Sequence, residues 1–582
     1  MSRNIADLAG KRYRSAGKCP CTASRYPLRM PEKSPSSQTD PQLSSQLSVL
    51  IVDPNPGVRA NLQNMLGQSG ITRIESAMNA GTAIKALGRR PFDIILCEYD
   101  LGTGTDEGQD GQQLLEDLRH HRIIPPWAIF IMLTAEGAYG KVVSAAELTP
   151  TDYILKPFTA QVLHHRIQKA VTRRAALLPV YQLIAQGQPR EAIEAAIEAA
   201  RARPHYALDF ARLRAELHAS LKEHELAETV YRDVLSAKPV GWARLGLARA
   251  LAAQGRADAA IPLLEQIVAD NPRLMAAYDL LARCQQERGD AALARKTLED
   301  AVAISPYVVR RLRRLGEVAL ETGDADAAEK SFRQVVTRSR YSEFRNPEDH
   351  VNLVKALVRK GDPQGASATI RDLERSLRGT PAADACKAIS VALLHDAAGN
   401  GAAAVKELKQ AVDAVRAGGA LSSGMRVDLA QICLSHRMDD EASEVLLGAL
   451  NGSDDALSAQ QALNVFVKAG RPDLADGMGK QLRAQAQILL GVADEKRNMG
   501  DVRGAVRTLL EALHMAPNNL QVMIAVVGGV LRQIMEMGWD HPLAALSEEQ
   551  LEHIRALDPA HPRLAALDAE LAAAKRKYGI ST

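Results

Sequence analysis

The stretch Pro91-Phe92-Asp93-Ile94-Ile95-Leu96-Cys97-Glu98-Tyr99-Asp100 decides how this chain folds. Ile94 to Cys97 is a short apolar run, β-branched at its start and held between Asp93 and Glu98. Its length and composition predict a central strand of a parallel sheet rather than a helix. A carboxylate at the carboxyl end of such a strand lies where open α/β sheets place their ligands. Taken alone, Glu98 would read as a strand ending in solvent. Three further stretches change that: Val49 to Asp53 (VLIVD), Ile129 to Thr134 (IFIMLT) and Asp152 to Pro157 (DYILKP) each carry an apolar run into a polar group. Four such runs, separated by helix-length segments, would gather Asp53, Glu98, Thr134 and Lys156 on one edge of one sheet, which makes that edge a candidate site.

Outward from these runs, residues 47–170 alternate strands and helices. Pro56 suits the first turn of a helix whose apolar positions include Val58, Leu62, Met65 and Leu66. Ile71 to Glu75 predicts strand two, and a helix through Ala83, Ile84 and Leu87 follows it. Leu114, Leu115 and Leu118 mark the helix after strand three, Tyr139 to Leu148 the helix after strand four, and Val162 to Ala170 the start of the last helix. The alternation predicts an α/β fold with a doubly wound, five-stranded parallel sheet and helices on both faces.

With those residues in place, the segment resembles a response-regulator receiver domain. In that family two acidic residues follow strand one, an aspartate ending strand three accepts a phosphoryl group, a Thr or Ser ends strand four, and a Lys-Pro pair follows strand five. Asp53, Thr134 and Lys156-Pro157 match as they stand, Glu98 falls at the acceptor position, and Tyr153 matches the aromatic switch residue.

Two departures bear on function. The second acidic position is Pro54, which offers no side-chain oxygen, and the acceptor position carries a glutamate. The chemistry that the resemblance implies needs Mg²⁺, which takes a tight oxygen shell with carboxylate help. Asp53 and Glu98 could form only a weak Mg²⁺ site. Glu98 is one methylene longer than aspartate, and a misplacement of about 1 Å can cost about a hundredfold. Its fixed negative charge beside Lys156 would partly imitate a phosphorylated aspartate, so the domain is expected to be a degenerate, pseudo-receiver. Asp100 is the alternative phosphoacceptor, at the cost of a shifted strand register. The segment Gly102 to Gly111 (GTGTDEGQDG) is longer than the family's usual loop and would set Asp106, Glu107 and Asp110 beside the site; it lacks the terminal glutamate and flanking helices of a calcium loop.

After Ala170 strand signals vanish. VTRRAALLPVYQLIAQG continues or abuts the last receiver helix, with Pro179 expected to break it and no Gly/Ser-rich spacer intervening. From about residue 179 the chain repeats: Gly255, Gly289 and Gly323 are 34 residues apart, each followed five residues later by Ala260, Ala294 and Ala328. This is the spacing of tetratricopeptide repeats, which the segment resembles, and it predicts an all-α superhelix of helix pairs. Glycine would end the first helix of each pair, alanine admit the second, and Pro239, Pro272 and Pro306 break the chain before the next. The register drifts between residues 361 and 500, where pairs are placed around Gly399, Met438 and Gly470. A longer linker, SRYSEFRNPEDH, interrupts the array near Tyr341. The expected organisation is a disordered tail over 1–46, a receiver-like domain over 47–170, a repeat solenoid over 171–538 and a less regular capping segment over 539–582, ending in an amphipathic helix. Met30 stands as an alternative start within the tail.

Composition narrows the function classes. The 582 residues are 46% hydrophobic and 4% aromatic, and 72 basic against 69 acidic residues leave a charge of +3. That balance gives no general pull toward nucleic acid, and no basic recognition helix follows the receiver segment. Six cysteines form no disulfide framework; with no apolar stretch of eighteen residues and no h-region, the chain reads as cytoplasmic without a membrane span. Cys19 and Cys21 alone are a weak metal signal, and the adjacent pairs His120-His121 and His164-His165 point in different directions on a helix. No nucleophile and base stand at recognisable spacing, so no enzyme is expected. The expected role is a signalling adaptor with protein partners at both modules; self-association as a homodimer is also compatible. The alternative is a phosphorelay receiver served by a histidine kinase, and only there would Mg²⁺ be required.

Overall fold

A computed structural model of the chain describes residues 46–101, 111–135, 150–272, 274–306, 308–339, 345–377, 379–450 and 457–579, apart from the side chains of 113, 116 and 541. The expectations for the tail, for the loop over 102–110, for a helix over 139–148 and for the middle of the linker near Tyr341 lie outside the described residues. The chain divides into two compact units, Met1–Asp349 and His350–Thr582.

In the first unit five parallel strands, β1 (Ser48–Val52), β2 (Arg73–Ala77), β3 (Ile94–Glu98), β4 (Ile129–Ala135) and β5 (Asp152–Lys156), form one sheet in the order β2-β1-β3-β4-β5. Alternation along the strands sends side chains to two cores. Val49, Ile51, Ile94, Leu96 and Ile131 pack on one face under α1 (Pro56–Gln68), while Leu50, Val52, Ile95, Cys97 and Phe130 pack on the other under α2 (Ala80–Arg89) and α3 (Gly111–His120). The predicted doubly wound α/β fold is present. Strand two begins two residues later than predicted: the Ile71 amide donates to Leu66 O at 3.1 Å, closing α1, and only its side chain joins the core.

Helix α4 (Ala160–Ala185) corrects the expected break. It runs through Pro179, burying Leu163, Ile167 and Val171 against the sheet and Leu177 and Val180 against the first repeat. Proline leaves the Ala175 carbonyl without its helical donor, and next to it the Ala176 carbonyl accepts from Arg203 Nη1 at 3.0 Å. Apolar anchorage on both sides holds the helix across its weak point. Arg174 ties the same helix to Asp93 at the start of β3, Nη1 to Oδ1 3.1 Å.

Beyond α4 the chain is a run of paired helices, beginning with α5 (Pro189–Ala202) and α6 (Ala207–Ser220). Gly255, Gly289 and Gly323 each follow a first helix with φ of 73°, 94° and 78°, a conformation that L side chains rarely adopt. The amide after each glycine donates back to the helix, as Asp290 N does to Gln285 O at 2.8 Å. Ala260, Ala294 and Ala328 are fully buried where the second helix comes close. The same left-handed turn recurs at Lys222 and Arg437, where no glycine marks it. From Gly323 the step to Gly361, Gly399 and Arg437 is 38 residues each time: the first step contains the longer linker near Tyr341, and the next two belong to the drift seen in the sequence.

In the second unit Leu408, Leu429, Leu446 and Phe466 anchor a continuous core. Leu520–Met537 is 18 residues long with mean hydropathy 1.4, enough by length and composition to cross a membrane. Arg532 and Glu536 interrupt its apolar run. Its apolarity has a local cause: Val526 and Val530 face Val506 and Leu509, while Val527 and Leu531 face Ile554 and Leu567. The last segment is more regular than expected. Pro542 opens the helix His541–Leu557 instead of breaking it, and Leu564–Lys577 follows with Lys575, Arg576 and Lys577 in its final turn.

Candidate functional site

Parallel strands ending in register bring four sequence-distant polar residues to the carboxyl edge of the sheet. Asp53 follows β1, Glu98 ends β3, Thr134 lies near the end of β4, and Lys156 ends β5. Lys156 is the hub. Its Nζ lies 3.1 Å from Asp53 Oδ2 and pairs directly with Glu98 Oε2. Asp53 is 2% exposed, and the Glu98 side chain 13%, so this ion pair network is largely out of water. Burial by itself pulls the Lys156 ammonium down, but the hydrogen bond and charge of Glu98, joined by Asp53, outweigh it and raise its pKa.

The free oxygens are held by backbone. Glu98 Oε1 accepts from Tyr99 N at 2.8 Å and Asp100 N at 3.3 Å, folding the strand end around its own carboxylate. Asp53 Oδ1 accepts from Asn55 N at 2.8 Å, and Asn55 in turn caps α1 by accepting from Gly57 N and Val58 N. Arg59 Nη1 donates to the carbonyls of Asp53 and Pro54 at 2.6 and 2.9 Å. Thr134 is fully buried and its hydroxyl donates to Ala135 O at 3.3 Å. Tyr153 lies along β5 with its ring packed against the core that contains Phe130 and Met132, and its hydroxyl is shielded from solvent. Asp100 is exposed, two residues past the strand end.

Two contributors carry no signal in the motif reading. Arg59 places a guanidinium on the two carbonyls beside the acidic position, a role visible only once α1 is laid against β1. Gly111 starts α3 with its amide on Tyr99 O at 2.8 Å. A Cβ there would sit 2.3 Å from Glu98 O and 3.0 Å from Met132 Sδ. Glycine therefore fixes how closely α3 approaches the residue at the centre of the site.

Among the described residues a divalent ion at this edge would have two side-chain carboxylates to use, Asp53 and Glu98, and both already face Lys156. The neighbouring carbonyls of Asp53 and Pro54 face Arg59. Two cations thus occupy the oxygens that an octahedral Mg²⁺ shell would draw on, and the donor set fits the ion poorly. Among the described residues no group of three or more His, Cys, Asp and Glu side chains could hold a metal ion. The repeat-turn glycines Gly255, Gly289 and Gly323 lie elsewhere, in the helix pairs.

Comparison with known proteins agrees with both parts of the fold. Residues 49–168 match the response regulator receiver domain family, and residues 181–241 and 251–306 match tetratricopeptide repeat families. The chemotaxis protein CheY of Pseudomonas aeruginosa is 30% identical over 127 residues, which are 22% of this chain and 98% of that protein. Chemotaxis protein CheY-3 of Vibrio cholerae is 28% identical over 131 residues, 22% of this chain and 96% of that one. Among solved structures, the receiver domain of NtrX from Brucella abortus is 25% identical, covers 22% of this chain and 98% of its own length, and gives a TM-score of 0.19. A parallel five-stranded sheet, the lysine and acidic residues at its carboxyl edge and the full-length match to CheY agree, and the chain belongs to the response-regulator receiver family, with tetratricopeptide repeats following the receiver domain.

Proposed function

We propose that the receiver domain is a pseudo-receiver, held in one signalling state by the charge of Glu98, and that the chain is a cytoplasmic adaptor. The observation that carries this reading is the Glu98 to Lys156 ion pair. In a phosphorylated receiver this lysine would meet the phosphoryl group; here a permanent carboxylate meets it, with Asp53 on its other side. The poor fit of the donor set to Mg²⁺ supports the same conclusion, since phosphoryl transfer relies on the ion to neutralise developing charge. Helix pairs offer extended surfaces for protein capture, so two partners are expected, one for the receiver and one for the repeats. No catalytic turnover is assigned to either module.

Quantitative affinity capture from native cells with the full chain and its Glu98→Gln variant tests the adaptor role. The variant keeps the size of the side chain and removes its charge. Receiver-dependent partners should fall at least about tenfold in the variant while repeat-dependent partners stay level. An identical set of partners in unchanged amounts would contradict the proposal.

A further inference from the structure

The first unit contains a cavity of about 1110 Å³ at the end of the sheet opposite to Glu98. It opens where the chain enters β3, β4 and β5, with Pro91, Pro125, Pro126 and Pro150 in its wall, and is closed by α4 and α6. A five-residue strand spans roughly 17 Å, so this place is separate from the Asp53, Glu98 and Lys156 cluster. Its volume is at the upper end of small-molecule sites, about 300–1,000 Å³.

Charge in the cavity is one-sided. Six arginines line it against two carboxylates, Asp209 and Glu216. Both carboxylates are taken, Asp209 by Arg173 at 2.6 Å and Glu216 by Arg212 at 2.8 Å, and Arg90 is paired with Glu75 at 2.9 Å and lies over Phe92. Arg89, Arg119 and Arg122 have no ion pair among the described residues. Arg119 is half-buried: burial lowers its pKa, the pull of Tyr181 and Glu216 does not restore it, and Arg212 adds to the fall. A partly desolvated guanidinium beside a second one, with the nearby carboxylate already paired to Arg212, favours a further anion in the cavity.

Arg122 adds a third guanidinium from the turn after α3. It stands just past α3 with φ of 52°, in the left-handed turn where glycine would be unstrained, its amide on Arg119 O at 3.1 Å. Between these cations Trp127 and Tyr181 meet with ring centroids 5.8 Å apart and their planes tilted by 45°, so that each offers a separate aromatic face.

We propose that this cavity binds a nucleotide carrying two or more phosphates, with the phosphates on Arg89, Arg119 and Arg122 and the base against Trp127 and Tyr181. Forked guanidinium donors match phosphate oxygens two at a time, and the face of either aromatic ring suits a base. The rigid, proline-lined wall favours a small ligand over an extended acidic segment, because a preformed site needs little ordering on binding. Helix α3 runs from Gly111 beside Glu98 to Arg119 at this cavity, so one rigid element touches both ends of the domain.

Isothermal titration calorimetry of the full chain with ATP, GTP, AMP and a hexaglutamate peptide tests the proposal. ATP or GTP should bind one to one, AMP at least about tenfold more weakly, and Arg119→Gln should lower the affinity by about tenfold or more. Arg122→Gly separates a binding role from a structural one. It should shift the urea midpoint of the free protein upward while weakening ATP or GTP binding. No saturable binding of ATP or GTP at about 1 mM, or affinities unchanged in both variants, would overturn the site. Binding of hexaglutamate alone would overturn it too, in favour of an acidic protein segment.

Discussion

Lys156 concentrates the physics of the site in one side chain. It neutralises two carboxylates that lie side by side and mostly out of water, so removing it should cost more than removing either anion. Lys156→Met is expected to destabilise the chain by about 3 kcal/mol, and Glu98→Gln by only about 1 kcal/mol, both read from urea unfolding. The pH dependence follows from the raised lysine pKa. Its folded value stands above its unfolded one, so its stabilising share is complete below about pH 10.5 and is lost as pH rises through the folded value. The stability difference between wild type and Lys156→Gln should therefore be flat from neutral pH to about pH 10 and shrink above it. A difference that already changes between about pH 7 and 9 would contradict this. Asp53, Glu98, Thr134 and Lys156 were legible because each sits at the end of an apolar run, and parallel strands must end together. Arg59 and Gly111 were not, because their roles depend on how near a helix lies to a strand.

At the scale of elements, close approach and turn geometry decide most of the cost. Gly111→Ala would push a methyl against Glu98 O and two sulfurs, Cys97 Sγ of β3 and Met132 Sδ of β4; a loss of about 2–3 kcal/mol in urea unfolding is expected. Left-handed turns give the opposite experiment. Lys222→Gly and Arg437→Gly should each stabilise by up to about 1 kcal/mol, whereas Gly289→Ala should lose about 1 kcal/mol. A destabilising Arg437→Gly would mean that the arginine side chain contributes more than its backbone strain costs. These two turns also explain the limit of the repeat signal. The sequence marks a repeat by glycine, yet at Lys222 and Arg437 the helix ends make the turn without one. Strand two and Pro179 failed for related reasons. Ile71 looks like a strand residue but serves as the buried turn after α1, and the proline in α4 is overridden by Leu177 and Val180 on one side and Val171 on the other.

On the scale of the whole molecule, α4 makes the receiver and the first repeats one structural unit, because the same helix buries residues in both. Hydrogen exchange should show comparable protection from Leu163 through Val180, as expected for a cooperative block; a sharp fall near Val171 would show two independent pieces. The fold was readable from strand-helix alternation and a 34-residue period; the first 38-residue step after Gly323 was marked by the longer linker near Tyr341, and the next two appeared only as drift, since the longer helices Pro381–Ala397 and Gly401–Arg416 lengthen a repeat without altering its composition. The central claim is that Glu98 stands in for a phosphoryl group. It is tested most directly by intact mass spectrometry of wild type, Glu98→Asp and the Glu98→Asp/Pro54→Asp double variant after incubation with acetyl phosphate and Mg²⁺. The account predicts no adduct on the wild-type chain, little on Glu98→Asp, and a phosphoryl adduct on the double variant, where both an acceptor aspartate and a second acidic residue are present. A stoichiometric phosphoryl adduct on the wild-type chain, at Glu98 or at Asp100, would contradict it.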